Sequence, residues 1–340
     1  MDRINGNLHV MKAMVVNEFG GPEVFELAEI GKPTPGDNQI LIEVKASSVN
    51  PVDYKTRDGR TGFLAPIKPA VLHPDCAGVV TELGPGVEDF SIGDEVYCFA
   101  SGLGGKPGAL AEYMVADASM VAKKSTNLSF EEAAALPLVA VTAWYCLVDR
   151  SEIDESTSVF IEGGTGGVGH VAIQIAKHLG AHVSVSCGSD EKCELALSLG
   201  ADQAFNYNET NAAEVFAASP SGAGYDVVFN TPGALSIDHA VGVAVFRGLI
   251  HDILGEFPGP GLFQLKWLTF VGTFAGRSIV ESVEQDHVGE ILREITKLVD
   301  QGKLKPLLDS EQFKFPSVAR AHDYAENQGP TGKVVLTADL

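Results

Sequence analysis

A glycine-rich segment in the middle of the chain has the spacing of a phosphate-binding loop. Gly164, Gly166 and Gly169 satisfy G-x-G-x-x-G between an apolar run at residues 159–161 and an apolar helical pattern at residues 168–179. In this strand–turn–helix setting, glycines allow a tight turn and close approach of the backbone to a pyrophosphate, while the helix start offers N–H groups to the phosphates. An ordinary glycine-rich turn is the alternative. The alternation of strands and helices around the loop favours dinucleotide binding.

The next predicted strand ends without the carboxylate that usually marks an NAD site. Its end reads Val-Ser-Cys-Gly-Ser over residues 185–189, whereas NAD sites carry an acid at this tip and NADP sites need room and positive charge. Ser189, Lys192 and Tyr207 are therefore candidates for binding a 2′-phosphate. Their alternative roles are ordinary ones: Lys192 on a solvated helix face and Tyr207 as a half-buried aromatic at a strand end. Asp190 lies in a first helical turn, where a carboxylate stabilises the helix dipole.

The elements that position these residues alternate regularly after Ser129. Ser129 and Glu132 form a capping-box pattern at the start of an Ala-rich helix. Apolar strands are predicted at residues 158–162, 182–186, 203–206, 226–230, 249–253 and 269–273, with helices between most of them, including 190–199. Six strands in this alternation predict a doubly wound parallel sheet of the Rossmann type.

The chain before Ser129 has a different texture. Short β-rich segments at residues 13–16, 39–47, 77–83 and 95–99 are separated by Gly and Pro turns, which indicates a barrel-like or irregular β domain. A helix at about residues 287–301 and a strand at 333–336 follow the sixth strand, and we expect them to return to this first domain. The predicted division is residues 1–136, completed by 277–340, and residues 137–276.

Composition excludes several classes of protein. The 340 residues contain 24 Lys+Arg against 45 Asp+Glu, a net charge of −21, which repels nucleic acid and anionic lipid. Five scattered cysteines indicate free thiols and a cytoplasmic protein, and the first ten residues lack the apolar core of a signal peptide. The longest nearly apolar run, residues 133–148, contains Pro137 and is shorter than a membrane span, so no membrane insertion is expected.

Six motifs follow one another along the chain: Lys-Ala-Met (12–14), Ser-Val-Asn-Pro-Val-Asp-Tyr-Lys (48–55), Ala-Gly-Val-Val-Thr-Glu-Leu-Gly (77–84), Ala-Ala-Leu-Pro-Leu (134–138), Gly-Gly-Val-Gly (166–169) and Gly-Lys-Val-Val-Leu (332–336). Together, from about Met11 to Leu336, they resemble those of the medium-chain dehydrogenases/reductases, in the zeta-crystallin-like quinone oxidoreductase branch. The resemblance implies a GroES-like β-rich catalytic domain around a Rossmann NADP-binding domain. It also implies NADPH as cofactor and a homodimer, often formed through the strand that corresponds to residues 269–273.

The resemblance assigns residues to the cleft between the two domains. It places Asn50 and Asp53 near the nicotinamide and Tyr54 near the substrate, so that Asn50 and Tyr54 are the catalytic candidates. Their alternative roles are a turn before Pro51 and core packing. The complete set of predicted cofactor-binding residues is Asn50, Asp53, Thr142, Gly164, Thr165, Gly166, Gly167, Val168, Ser189, Lys192, Tyr207 and Asn230.

The sequence lacks the ligands that zinc-dependent members of the superfamily use. By resemblance the ligand positions correspond to Asn50, to Pro74 and Asp75, and to Leu138, and an Asn, a Pro and a Leu do not bind zinc in such sites. His73, Asp75 and Cys76 lie close together as a possible remnant site, with local packing as the alternative. We expect no metal.

A hydride acceptor that needs no Lewis acid follows from this expectation. A quinone or an α,β-unsaturated carbonyl spreads the developing charge, so the protein must mainly position the nicotinamide and donate a hydrogen bond. The expected function is NADPH-dependent reduction of a quinone or other conjugated carbonyl. A 2-alkenal or enoyl reductase is one alternative, because the loops at residues 56–68 and 257–268 have no diagnostic residues. A second is an NADPH-binding structural or regulatory protein with little turnover. Departures from the family pattern occur at residues 230–233 and at His251 and Asp252.

Overall fold

The computed structural model describes residues 10–231, 237–253, 255 and 261–340. The strands are β1 (Val10–Val16), β2 (Phe25–Gly31), β3 (Gln39–Ser48), β4 (Asp75–Leu83), β5 (Glu95–Phe99), β6 (Tyr113–Asp117), β7 (Val121–Lys123), β8 (Ser158–Glu162), β9 (His182–Cys187), β10 (Gln203–Asn206), β11 (Tyr225–Asn230), β12 (Ala244–Asp252), β13 (Thr269–Gly272), β14 (Phe313–Lys314) and β15 (Val335–Thr337). The helices are α1 (Pro51–Arg57), α2 (Phe130–Ala134), α3 (Pro137–Leu147), α4 (Gly169–His178), α5 (Asp190–Ser198), α6 (Ala212–Ala217), α7 (Ile237–Val243), α8 (Leu262–Leu265), α9 (Arg277–Val280), α10 (Gln285–Asp300) and α11 (Val318–Asn327).

One sheet contains the six strands predicted from the apolar runs. Its order is β10-β9-β8-β11-β12-β13, and every neighbouring pair is parallel. In chain order this is 3-2-1-4-5-6, the Rossmann arrangement, whose ligand crevice lies beyond the carboxyl ends of the strands where the order reverses. The reversal falls between β8 and β11, beside the glycine loop. The predicted fold class is confirmed.

A second sheet contains the short β-rich segments. Its order is β14-β15-β3-β4-β5-β7, with β6 also paired to β3, and β1 and β2 form a separate antiparallel pair. The closing strand β15 pairs with β3, Leu336 opposite Ser47, so the end of the chain does return to the first β-rich part. The predicted boundaries at residues 136/137 and 276/277 stay a prediction.

Local signals explain several element ends. The capping box forms as predicted: the Glu132 N–H donates to the Ser129 hydroxyl at 3.2 Å, and the Ser129 N–H donates to the Glu132 carboxylate at 2.8 Å. The Ala-rich helix is not continuous, because α2 ends at Ala134 and Pro137 begins α3 as its first residue. Among the described helices, none is long and apolar enough to cross a membrane.

Helices α1, α9 and α11 were not predicted from the sequence. Helix α1 begins at Pro51 after an Asn50–Asp53 capping box and is only seven residues long, too short for a clear apolar period. Helix α11 is capped without a side-chain hydrogen bond. Predictions for residues 1–9, for Pro232 and Gly233, and for most of residues 254–260 lie outside the described residues.

Candidate active site

The glycine loop connects β8 to α4 and is anchored on the neighbouring strand. The Gly164 N–H donates to the Ser186 carbonyl at 2.9 Å, and the Gly163 N–H donates to the Ser186 hydroxyl at 3.2 Å. The Gly166 N–H closes the turn on the Gly163 carbonyl at 2.9 Å. The loop therefore has a fixed shape before any ligand binds.

Packing shows which glycines of this loop are obligatory. A Cβ atom at Gly169 would lie 2.1 Å from the Gly163 carbonyl oxygen, and one at Gly164 would lie 2.7 Å from the Val185 Cβ. At Gly166 the nearest atom would be 3.2 Å away. Gly169 and Gly164 thus allow the helix start and the strand to approach closely, which is the shape that fits a pyrophosphate.

The candidates for the adenosine end meet where β9 and β10 finish. Ser189 caps α5 and accepts a hydrogen bond from the Lys192 N–H at 3.3 Å. The Tyr207 hydroxyl lies 2.6 Å from where a Cβ of Gly188 would stand, so a side chain at Gly188 would collide with it. Asp190 is engaged elsewhere, accepting a bond from the Asn206 amide at 2.9 Å. The Lys192 Nζ donates to the Gly329 carbonyl at 3.1 Å, a contact that the sequence did not predict.

A buried polar centre surrounds the carboxylate of Asp75, which is fully buried at the start of β4. Oδ2 accepts from the Asn50 amide at 2.7 Å and from the Ser48 hydroxyl at 2.8 Å, and Oδ1 accepts from the Leu138 N–H at 2.8 Å. Asn50 is only 1% exposed. Its side-chain amide is bonded within this centre. A contact between Asn50 and a cofactor or substrate stays a prediction.

Lys333 brings a cation to the same centre. Its ammonium donates to the Val49 carbonyl at 3.0 Å and to the Asn50 side-chain oxygen, and it lies 3.5 Å from Asp75 Oδ2. Burial lowers the pKa of Lys333, while the Asp75 and Asp53 carboxylates oppose that shift. The signal for Lys333 was present in the sequence, since it is a lone charge leading into the apolar run Val-Val-Leu.

Asp53 completes the group from the first turn of α1. Its Oδ2 accepts from the Asn50 N–H at 2.7 Å, which is one half of the capping box. Burial raises the pKa of Asp53 well above its usual value, although the Asn50 N–H bond lowers it. The predicted residue therefore holds the start of α1, and its contact with a cofactor stays a proposal.

The residues of this centre do not fit a zinc ion. The positions matched to zinc ligands do converge, since Asn50 and Leu138 both contact Asp75, but Asp75 is their only anionic donor. A lysine ammonium also stands beside that carboxylate, where it would repel a metal. No metal-binding group of three or more His, Cys, Asp or Glu occurs among the described residues.

The suggested remnant site at His73, Asp75 and Cys76 is explained by packing. His73 is paired through Nδ1 with the Ser47 hydroxyl at 3.1 Å and through Nε2 with His322 Nε2 at 2.9 Å. Burial lowers the pKa of His73 to about 3, so its ring is neutral. Cys76 faces Cys98 across the β4–β5 ladder.

Tyr54 lies one residue after Asp53 on α1 and is half-buried. The Arg60 guanidinium lies 5.9 Å from its ring centre. Burial, with the nearby Glu326 carboxylate, raises the pKa of Tyr54 above 10.0, so the hydroxyl is protonated at neutral pH. Its O–H is a hydrogen-bond donor with no acceptor in the part of the chain that the structure describes.

The residues of β11 and β12 at which the sequence departs from the family pattern make two separate contacts. The Asn230 amide donates to Asp252 Oδ1 at 2.9 Å, and both side chains are buried. His251 points to the other face of β12 and pairs with the Ser151 hydroxyl at 2.8 Å, where burial lowers its pKa to about 4. Thr142 donates to the Leu138 carbonyl at 2.8 Å within α3. Contact of Asn230 and Thr142 with a cofactor stays a prediction.

Comparison with known proteins identifies the family. A model described as the alcohol dehydrogenase GroES-like domain matches residues 36–126, and one described as zinc-binding dehydrogenase matches residues 167–293. The chain is 37% identical over 333 residues to the NADPH-dependent alkenal/one oxidoreductase, chloroplastic, of Arabidopsis thaliana, covering 96% of this chain and 79% of that protein.

Solved structures agree with this identification. An alcohol dehydrogenase superfamily protein from Novosphingobium aromaticivorans superimposes with a TM-score of 0.91 at 34% identity, covering 97% of this chain and 100% of that chain. The Escherichia coli quinone oxidoreductase complexed with NADPH gives 0.84 at 27% identity, covering 96% and 100%. The chain therefore belongs to the medium-chain dehydrogenase/reductase superfamily, in its quinone oxidoreductase branch, and the resemblance stated from the sequence is confirmed.

Proposed function

We propose that this protein is an NADPH-dependent oxidoreductase that reduces conjugated carbonyls, quinones or α,β-unsaturated aldehydes and ketones, without a metal. The observation that carries the proposal is the pairing of a preformed glycine loop with a buried centre whose donors suit hydrogen bonding and do not suit zinc. The relative named an alkenal/one oxidoreductase and the structural neighbour named a quinone oxidoreductase support this acceptor class.

The chemistry divides between the cofactor and the protein. NADPH, when bound, supplies a hydride from nicotinamide C4. The loop residues Gly164–Val168, as a group, bind and orient its phosphates, and Asp53 and Asn50 fix the start of α1. Tyr54, carried by α1, donates a hydrogen bond to the acceptor oxygen, where negative charge develops. The acceptor gains a hydride and then a proton from solvent.

Selectivity for NADPH over NADH resides, in this proposal, in Ser189, Lys192 and Tyr207. Replacing Lys192 with Ala is expected to raise KM for NADPH about tenfold, because a charge-assisted bond to the 2′-phosphate is lost. KM for NADH should change little, since NADH has no phosphate there. Steady-state kinetics with both cofactors provide the measurement. Equal effects on both would reject the assignment, and Lys177→Ala, at a lysine paired with Asp202, is the control.

The direct test of the function is turnover against a panel of acceptors. Loss of NADPH absorbance should be measured with several quinones, 2-alkenals and enones, before and after exhaustive chelation. We expect turnover that chelators do not diminish. The relative rates decide between a quinone reductase and an alkenal or enoyl reductase. Tight NADPH binding with no turnover across the panel would instead identify a structural or regulatory protein.

We also propose a homodimer, and its support is an open sheet edge. Strand β13 is at the end of the parallel sheet, and its described neighbour is on one side only. Beside it Phe246 and Trp267 are 54% and 63% exposed, with their ring centres 5.5 Å apart. An apolar patch next to an unpaired edge strand suits a second copy of the chain.

The five free thiols accord with the proposed cytoplasmic location.

A further inference from the structure

Lys333 is the buried cation of the site, and its contacts span the two halves of the cleft. Its side chain is 3% exposed, and its ammonium contacts Val49, Asn50 and Asp75, which belong to or border the β-rich sheet and α1. A buried charge is stable only when it is paired and hydrogen-bonded, and these three oxygens meet that requirement.

The stem of the same side chain lies under the glycine loop. A Cβ at Gly167 would lie 3.3 Å from the Lys333 Cδ, so the methylene groups fill the space beneath that residue. The preceding residue, Gly332, donates its N–H to the Thr165 carbonyl at 2.7 Å. Gly332 and Lys333 therefore contact the glycine loop that is proposed to bind phosphate. The Lys333 ammonium also contacts Asn50, the N-cap residue of α1.

Asn50 transmits this contact to Tyr54. The Asn50 side chain receives a bond from Lys333 and gives one to Asp75, while its N–H is held by Asp53. Asn50 is the N-cap residue of α1, and its backbone carbonyl accepts from the Asp53 N–H at 2.9 Å. Because Lys333 and Asp75 hold the side chain of this residue, they also fix the backbone from which the helix starts. Tyr54 lies in the first turns of that helix. The position of its hydroxyl relative to the glycine loop thus depends on the Lys333 contacts.

We propose that Lys333 is a positioning residue for hydride transfer, which holds Asn50 and α1 in register with the glycine loop so that Tyr54 meets the acceptor bound beside the cofactor. This inference rests on the proposed function. It assigns Lys333 no contact with the reacting atoms. The hydrogen bonds that the Lys333 ammonium donates and the packing of its methylene groups against Gly167 both help to hold α1 in place relative to the glycine loop.

The test compares Lys333→Met with Lys333→Gln. Met keeps the stem and removes every donor, whereas Gln keeps an N–H donor without the charge. In single-turnover stopped-flow with NADPH and an active enone, we expect hydride transfer to slow about 100-fold for Met, as a displacement of about 1 Å can do. For Gln we expect about tenfold, because weaker bonds to Asn50 remain. The dissociation constant for NADPH should change by less than about threefold in both.

A second readout does not depend on activity. Hydrogen exchange at the amides of residues 51–57 in the protein without cofactor should be fastest in the Met variant and intermediate in Gln. Lys124→Met is the matched control, because Lys124 is also buried, bonds the Leu128 carbonyl at 2.7 Å and pairs with Glu95 at 3.0 Å. It should lower the melting temperature and leave both hydride transfer and α1 exchange unchanged.

The outcomes separate this inference from the function on which it rests. A wild-type protein that reduces no acceptor overturns the proposed function, and the role of Lys333 falls with it. An active wild type with an equally active Met variant, or with Met and Gln equally slow, overturns the role of Lys333 alone. If Met fails to fold, Gln decides: a Gln variant with wild-type hydride transfer and α1 exchange overturns the inference.

Discussion

Replacing Gly169 with Ala is expected to raise the dissociation constant for NADPH about 100-fold, because the added methyl group displaces the glycine loop. We expect this displacement to cost at least about 2.7 kcal/mol of binding free energy, which corresponds to that factor. The added Cβ would lie 2.1 Å from the Gly163 carbonyl oxygen, closer than any real contact, and that neighbour is backbone. The helix start and the loop must therefore separate, and the phosphate cradle opens. Quenching of protein fluorescence by NADPH measures the affinity.

Gly31→Ala is the matched control for this prediction. It adds the same methyl group at the end of β2, outside the glycine loop, where a Cβ would have no atom within 4 Å. We therefore expect the affinity for NADPH to stay at the wild-type value. Melting temperatures of both variants show that the protein is folded. Equal losses of affinity in the two variants would contradict the assignment of Gly169 to the close approach.

Replacing Tyr54 with Phe is expected to lower kcat by about 100-fold, the usual cost of removing one donor to a developing oxyanion. KM for NADPH should be unchanged, because the hydroxyl is proposed to contact only the acceptor. Since burial and Glu326 raise the pKa of Tyr54 above 10.0, its ionisation should not reduce the rate until the pH exceeds that value. Steady-state kinetics across pH 6 to 10 test both statements.

Tyr113→Phe provides the comparison. Tyr113 is also half-buried, but it lies on β6 opposite Glu43 of β3, with the Lys32 ammonium 4.1 Å from its ring centre. The variant should have wild-type kcat. If the Tyr54→Phe and Tyr113→Phe variants have the same kcat, the Tyr54 hydroxyl is excluded as the hydrogen-bond donor. Water would then be the donor to the acceptor oxygen.

Local patterns account for what the sequence predicted well. The glycine loop is contiguous, and six apolar strands alternate with helices along the chain, so the Rossmann sheet and the expected position of its crevice followed directly. The ends of β8 and β10 were predicted to the residue. The capping box at Ser129 is likewise a pattern within four residues. Each of these depends on neighbours in the chain.

The buried centre was less predictable because its contacts are distant in sequence. Lys333 reaches Asn50 across 283 positions, and Asp75 reaches Leu138 across 63. The resemblance brought Asn50, Asp75 and Leu138 together only as places where zinc ligands are missing. It did not show that a carboxylate and a lysine ammonium pair there. The contact of Lys192 with Gly329 was equally hidden, since it joins α5 to the chain after α11.

The chemistry of the centre supports the proposed acceptor class. The Asp75 carboxylate is hydrogen-bonded on both oxygens and paired with Lys333, so it is poorly suited to bind a metal ion. A metal ion is the Lewis acid that reduction of a simple ketone would use. A conjugated acceptor needs only position and one hydrogen bond. We propose Tyr54 as that donor, since its hydroxyl has no acceptor among the residues that the structure describes. The net charge of −21 is compatible with binding of the anionic NADPH, because the N–H groups at the start of α4 act locally, and so would Lys192 in the proposed binding mode.

The most direct measurement is transfer of deuterium to an enone from NADPH that carries deuterium at both C4 positions, with the metal content of the protein determined in the same sample. We expect mass spectrometry to find one deuterium on the β-carbon of the reduced product, formed by protein that contains less than about 0.1 zinc per chain after chelation. Unlabelled product, or transfer that appears only when zinc is restored, would contradict metal-free hydride transfer by this site.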